Sequence, residues 1–288
     1  PTANPVFGPQ PDSWDADSVM MPSVAAVDGG YWLLYAGKGE EYRIGAASSP
    51  DGVAWTREHP APVIGAGIAG PWTGLSVGGP SLLAEPEGGL RAWFQGRGDG
   101  PMSIGLAASE DGLDWAPEDP EPVFAPGEEG AWDGTAVGHP EVLRTGDVYE
   151  LWYSSSSQQV GYALSEDGLT WTRYCHNPVF LAQGKDSWEL GATKSPEVVL
   201  LDGTYHLFFT AGGAGQWQVG HAASADGLRW SRSGEDPVLP AGEAGSWCEA
   251  GTSNATPLVE QDGTVTIWYT GISSGPSSLG VATVESWD

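Results

Sequence analysis

The chain has 288 residues, with 38 Asp and Glu against 11 Lys and Arg, a net charge of −27, and 40% hydrophobic side chains. That apolar fraction can fill a core, whereas three Lys and eight Arg offer little to nucleic acid or anionic membranes, whose binding rests on basic residues. No run of about 18 apolar residues offers a membrane span, and two cysteines, Cys175 and Cys248, are too few for a disulfide framework and read as small buried side chains.

In chain order, Pro5-Val6-Phe7 comes first, then Trp14 with Pro22 eight residues on, an apolar run, a Gly-Gly turn and the aromatic run Tyr31–Tyr35. Ile44-Gly45 follows, then a Ser49–Trp55 hairpin carrying Asp51-Gly52, and Pro62-Val63-Ile64. The second unit repeats this from Trp72/Pro80 through Ser109–Trp115 to Pro122-Val123-Phe124. The third runs from Trp132/Pro140 through Ser165–Trp171 to Pro178-Val179-Phe180, and the fourth from Trp188/Pro196 through Ser224–Trp230 to Pro237-Val238-Leu239. The fifth begins at Trp247, reads Pro257 as its proline with two extra residues, and stops after Leu279–Thr283 without its own Pro-Val-Phe. Short alternating runs joined by Asp-Gly turns predict four strands per unit and no helix. Such units repeated radially predict an all-β, five-bladed β-propeller, a single domain over 1–288, whose ring is closed when Asn4–Phe7 becomes the outer strand of the last blade.

Ligands of propellers gather where loops converge at one channel mouth, here the end at which the first strand of each blade begins. The Ser-x-Asp-Gly-x-x-Trp hairpins and Arg57, Arg173 and Arg232 lie elsewhere and read as structural, as do the recurrent Asp15, Asp133 and Glu189, which brace loops. Catalysis should break the repeat. The breaks at the mouth are Asp17, His139, Glu141, Lys194, Glu197, Glu249 and Asn254, joined by Arg97 and Asp99 on the second blade and by Trp217, which can stack on a sugar. Glu141 and Glu197, on neighbouring inner strands, read either as an acid/base pair or as a buried network satisfied by Lys194 or His139.

The pattern Asp-Gly-x-Tyr-x-Leu-Trp-Tyr, Ile-Gly-x-Ala-x-Ser-x-Asp-Gly-x-x-Trp and Asn177–Phe180 resembles the five-bladed glycosidase superfamily that includes glycoside hydrolase families 32, 43, 68, 117 and 130. The resemblance covers essentially the whole chain. It departs from family 43 at the catalytic positions, where Met21, His139 and Lys194 stand in place of two Asp and a Glu, and it lacks the Trp-Met-Asn-Asp-Pro motif of family 32. Family 117 uses a His as acid, which points to His139; family 130 phosphorylases hold phosphate with basic residues, for which Arg97 and Lys194 are the candidates.

The function expected is a carbohydrate-active enzyme, foremost a glycoside hydrolase cleaving a neutral or mildly charged oligosaccharide. Asp17 or Glu249 would be the base, His139 or Glu197 the acid, and Arg97, Asp99, Lys194, Trp217 and Asn254 would bind substrate. The alternatives are a non-catalytic carbohydrate- or protein-binding propeller and a glycoside phosphorylase. No cofactor or metal site is expected, because no Cys/His cluster has ligand spacing. The partner would be a glycan and the protein a monomer. The acidic surface reads as adaptation to salt, compatible with a secreted or periplasmic location.

Overall fold

Alternating apolar residues after each Trp marker give long strands, and Asp-Gly or Gly-Gly turns close them into hairpins. The computed structural model describes residues 4–213 and 216–284. Its strands are β1 (Ser18–Val27), β2 (Gly30–Lys38), β3 (Tyr42–Ser49) and β4 (Thr56–Arg57) in the first unit, and β5 (Ser76–Ala84), β6 (Leu90–Arg97), β7 (Ser103–Ser109) and β8 (Ala116–Pro117) in the second. The third unit holds β9 (Val137–Thr145), β10 (Val148–Ser155), β11 (Val160–Ser165) and β12 (Thr172–Arg173), and the fourth β13 (Thr193–Leu201), β14 (Thr204–Gly213), β15 (Gln216–Ser224) and β16 (Ser231–Arg232). The fifth has β17 (Gly251–Val259), β18 (Val265–Ile272) and β19 (Ser278–Val284). Among the described residues the only helical element is a 3₁₀ turn at Pro71–Thr73.

Units one to three each form an antiparallel four-stranded sheet, and units four and five are joined into one seven-stranded sheet. The junction is a single parallel pair, Trp217 with Gly251. A Cβ at Gly251 would meet the Trp217 carbonyl oxygen at 2.3 Å, so only glycine permits this approach. The first strands touch in chain order, β1 with β5, β5 with β9, β9 with β13 and β13 with β17, and β17 also touches β1. In the first four units the Pro-Val segment bridges back to the third strand, as Ile64 does to Ile44 and Phe180 to Val160; in the fifth, Phe7 pairs with Leu279. Asn4 adds hydrogen bonds in both directions with the Val281 backbone.

The core lies between sheets. Trp93, Trp152 and Trp268 are fully buried, and their indole N–H groups donate to the carbonyls of Gly168, Gly227 and Gly52 in the Asp-Gly turn of a neighbouring unit. Within each such turn the Asp accepts two backbone N–H bonds, as Asp167 does from Leu169 and Thr170, which lowers its pKa to about 2. The hairpin motif is thus spent on turn and packing. The loop carboxylates are braces as expected: Asp15, Asp133 and Glu189 are almost fully buried and pair with Arg57, Arg173 and Arg232 at 2.8, 2.9 and 2.5 Å. The cysteines depart from expectation, since Cys175 is exposed and Cys248 half-buried in a loop.

Candidate functional site

The site is built on a repeated irregularity of the first strands. Each pairing with the second strand slips by a bulge, between Met20 and Ser23, Gly78 and Ser81, Gly138 and Glu141, Lys194 and Glu197, and Ser253 and Thr256. The residue at the bulge is left-handed every time: Met21 (φ 52°), Gly79 (52°), His139 (46°), Ser195 (50°) and Asn254 (48°). Four of these are not glycine and carry a cost of about 1 kcal/mol or more each. A side chain from the preceding unit offsets it by accepting the exposed N–H: Thr270 for Met21, Gln95 for His139, Ser154 for Ser195 and Thr210 for Asn254, at 2.8 to 3.0 Å. Ala36, the counterpart facing Gly79, has no acceptor, and there the bulge residue is glycine.

This register corrects the reading of the fifth unit. Its bulge is Asn254-Ala255, eight residues from Trp247, so there is no two-residue insertion and Ala255 occupies the place of the proline. The counterpart of Ser23, Ser81, Glu141 and Glu197 is therefore Thr256, not Leu258. A left-handed residue with a captured N–H makes the bulge; the proline only accompanies it.

Those five residues form a belt around the centre. Ser23 Oγ accepts from Leu82 N (2.8 Å), Ser81 Oγ from Val142 N (2.9 Å), and Glu141 Oε1 from Val198 N (3.4 Å), while Ser81 Oγ donates to Glu141 Oε2 (3.2 Å). Thr256 Oγ1 lies 3.2 Å from Glu197 Oε2 and 2.5 Å from the Pro22 carbonyl oxygen. Burial pushes the Glu141 carboxyl up to about 8, and burial with the neighbouring Glu141 raises Glu197 well above the usual range. Lys194 and His139 do not satisfy these acids; hydroxyls and one backbone N–H do. Below the belt lies a cavity of about 240 Å³ lined by Ser23, Ala26, Leu82, Glu141, Thr256 and Leu258.

Above the belt, the structure brings His139, Lys194, Ser195 and Asn254 onto three adjacent first strands. The Lys194 ammonium sits 3.7 Å from the Trp217 ring centroid, and burial lowers its pKa with no carboxylate among the described residues to offset it. Burial and the neighbouring Lys194 push His139 down to about 3, which favours the neutral imidazole in this structure. Ser195 is 1% exposed, and its Oγ has no hydrogen-bond partner among the described residues. A buried orphan hydroxyl is costly unless something fills its valence.

Other candidates stand apart. Glu249 accepts from Gly245 N (2.7 Å) and Ser274 Oγ (2.9 Å), contacts that lower its pKa and brace its loop. Asp17, Arg97 and Asp99 are exposed on the rim, and their side chains carry no hydrogen bond among the described residues. Gln95 and Ser195 were not singled out by sequence. The signal for Ser195 was its place before the Pro; Gln95 had none, because the N–H it accepts lies 44 residues away.

No protein-family model matches the chain. In sequence it is similar to an uncharacterized protein of Mycobacterium tuberculosis strain H37Rv, 27% identical over 194 residues, which are 64% of this chain and 62% of that protein. It is also similar to a beta-1,2-mannobiose phosphorylase and a 1,2-beta-oligomannan phosphorylase of Thermoanaerobacter sp. strain X514, each 25% identical, over 34% and 40% of this chain and 37% and 42% of those proteins. The chain thus spans less than two thirds of the length of these relatives. Among solved structures it is similar to a glycoside hydrolase (TM-score 0.76, 18% identical, 98% of this chain and 91% of that one) and to a thermostable family-43 glycoside hydrolase (0.73, 15%, 96% and 92%). A third, described with the family 130 mannoside phosphorylases that contain hydrolases targeting β-1,2 mannosidic linkages, gives 0.77 at 16% identity over 97% and 91%. The chain has the fold of these glycoside hydrolase-type proteins.

Proposed function

We propose that this protein is a five-bladed propeller, closed by Asn4–Phe7 in the fifth blade, which cleaves a neutral oligosaccharide at the channel mouth with inorganic phosphate as the attacking group. Trp268 donating to Gly52, β17 against β1, and Phe7 on Leu279 support the closure. The observation that carries the chemistry is Lys194: a half-buried ammonium without a carboxylate partner among the described residues, beside a neutral imidazole and the orphan Ser195 hydroxyl. Hydrolysis asks for two carboxylates flanking the bond. The four central mouth residues supply a cation and three neutral donors instead, which suits a bound anion. A hydrogen phosphate oxygen attacks the anomeric carbon, the glycosidic C–O bond breaks, and the departing oxygen takes, through water, the proton that the phosphate gives up as it becomes the ester. Trp217, Asn254, Arg97 and Asp99 contact the sugars.

The similarity to the two Thermoanaerobacter phosphorylases supports β-1,2-linked mannosides as the first substrates to try. The test is incubation with β-1,2-mannobiose and oligomannans with and without phosphate, following sugar 1-phosphate and free sugar. Phosphate-dependent sugar 1-phosphate, lost at least about 10²-fold in Lys194→Ala, is expected. Phosphate-independent release of free sugar would establish hydrolysis instead, and saturable binding without turnover would establish a lectin-like propeller.

A further inference from the structure

We propose that Glu197 is a neutral acid whose proton, donated to Thr256, fastens the fourth unit to the fifth and through it to the first, so that the inter-sheet belt is a proton-dependent latch. This goes beyond the catalytic reading and holds whether or not the mouth cleaves glycans.

The argument begins with hydrogen count. Thr256 Oγ1 has one hydrogen and two neighbours, the Pro22 carbonyl at 2.5 Å and Glu197 Oε2 at 3.2 Å. A carbonyl can only accept, so the shorter contact takes the threonine hydrogen, and the longer one is a hydrogen bond only if the carboxyl donates. Elsewhere in the belt a backbone N–H makes the corresponding link, Leu82 to Ser23, Val142 to Ser81 and Val198 to Glu141. In the fifth unit that position is Pro257, which has no N–H. The protonated carboxyl and the threonine hydroxyl together replace the missing donor. Glu141 is different: it accepts from Ser81 Oγ and Val198 N, and both contacts survive its ionisation.

No charge nearby can stabilise the anion of Glu197. Strands β1, β5 and β17 contain no titratable side chain. On β9 and β13 the charged or titratable neighbours are His139, Arg144 and Lys194. Arg144 is taken by Glu85 and Glu87, and Lys194 lies over Trp217. On the strands packed behind, Arg91 pairs with Glu118, Glu150 accepts from Tyr162 and Tyr205, Tyr149 donates to Glu85, and Tyr153 to Asp133. His206 is paired with His221, and Arg97 is exposed on the rim. None makes an ion pair with Glu197 among the described residues. Glu141 faces it and opposes its ionisation.

The sign of the pH effect follows. A carboxyl raised in the fold stays protonated after the unfolded chain has lost that proton, so its contribution is complete below the unfolded value near 4.5 and declines as pH rises toward the raised one. The inward histidines act the other way: His139 and His221, lowered to about 3 and about 4, and His206, also lowered, cost stability only as pH falls below 6.5. Between pH 6.5 and 8 the glutamate pair stands clear of them.

The experiment is a pair of measurements on the full chain. In ¹³C NMR of glutamate carboxyls, the Glu141 and Glu197 resonances should both stay near the neutral-acid position through pH 7, and the one from Glu197 should be absent from Glu197→Gln. Melting temperature should fall from pH 6.5 to 8 in the wild type and be flatter in Glu197→Gln, whose amide N–H₂ can donate to Thr256 at any pH. If every glutamate carboxyl of the wild type titrates below pH 5.5, or if the variant keeps the full wild-type slope, the latch is overturned.

Discussion

The fourth strands and the first strands of the units use polar residues in opposite ways. On the fourth strands, Arg57, Arg173 and Arg232 each meet a buried carboxylate, lie within 4.0 to 4.4 Å of a Phe ring centroid and donate to a backbone carbonyl, in the same places in units one, three and four. At the bulges of the first strands, four non-glycine residues hold left-handed conformations, and among the described residues Lys194 has no carboxylate and the Ser195 hydroxyl has no partner. The repeat is kept where every charge is answered and broken where polar groups are left unspent. Strain and unanswered polarity are expected where a ligand completes the structure.

That contrast can be broken from its structural side first. Removing residues 1–8 takes Val6 and Phe7 from β19 and leaves the Leu279 backbone unpaired; Phe7 is 6% exposed, and losing two such apolar contacts costs on the order of 5 kcal/mol. A melting temperature equal to that of the intact chain would contradict the closure. Next in size, Arg232→Ala strands Glu189, whose side chain is 0% exposed, and should cost about 3 kcal/mol, read by denaturant melts, while turnover at low temperature persists. At the small end, Lys194→Ala should leave the melt within about 1 kcal/mol of wild type, since it removes a cation that pairs with nothing acidic. If Lys194→Ala unfolded the chain as Arg232→Ala does, the two regions would not differ in kind.

The same contrast explains what could be read without coordinates. Strands, hairpins and braces were legible because period-two alternation, Asp-Gly turns and Trp markers recur with fixed spacing. The fifth unit misled because Pro257 is a more visible mark than the left-handed Asn254, although the captured N–H, here by Thr210, creates the bulge. Glu249 breaks the repeat, and its hydrogen bonds to Gly245 and Ser274 are a local fact of loop geometry that composition does not carry. His139 lies at a bulge of β9; its protonation state depends on burial and on Lys194, which the sequence does not reveal.

The most direct test of the site is a crystal structure of the protein soaked with inorganic phosphate and β-1,2-mannobiose. Our account predicts an anion within about 3 Å of both the Lys194 ammonium and the Ser195 hydroxyl, with a sugar ring beside Trp217. Ligand bound only away from the first-strand bulges, with the Ser195 hydroxyl still unpartnered, would contradict it.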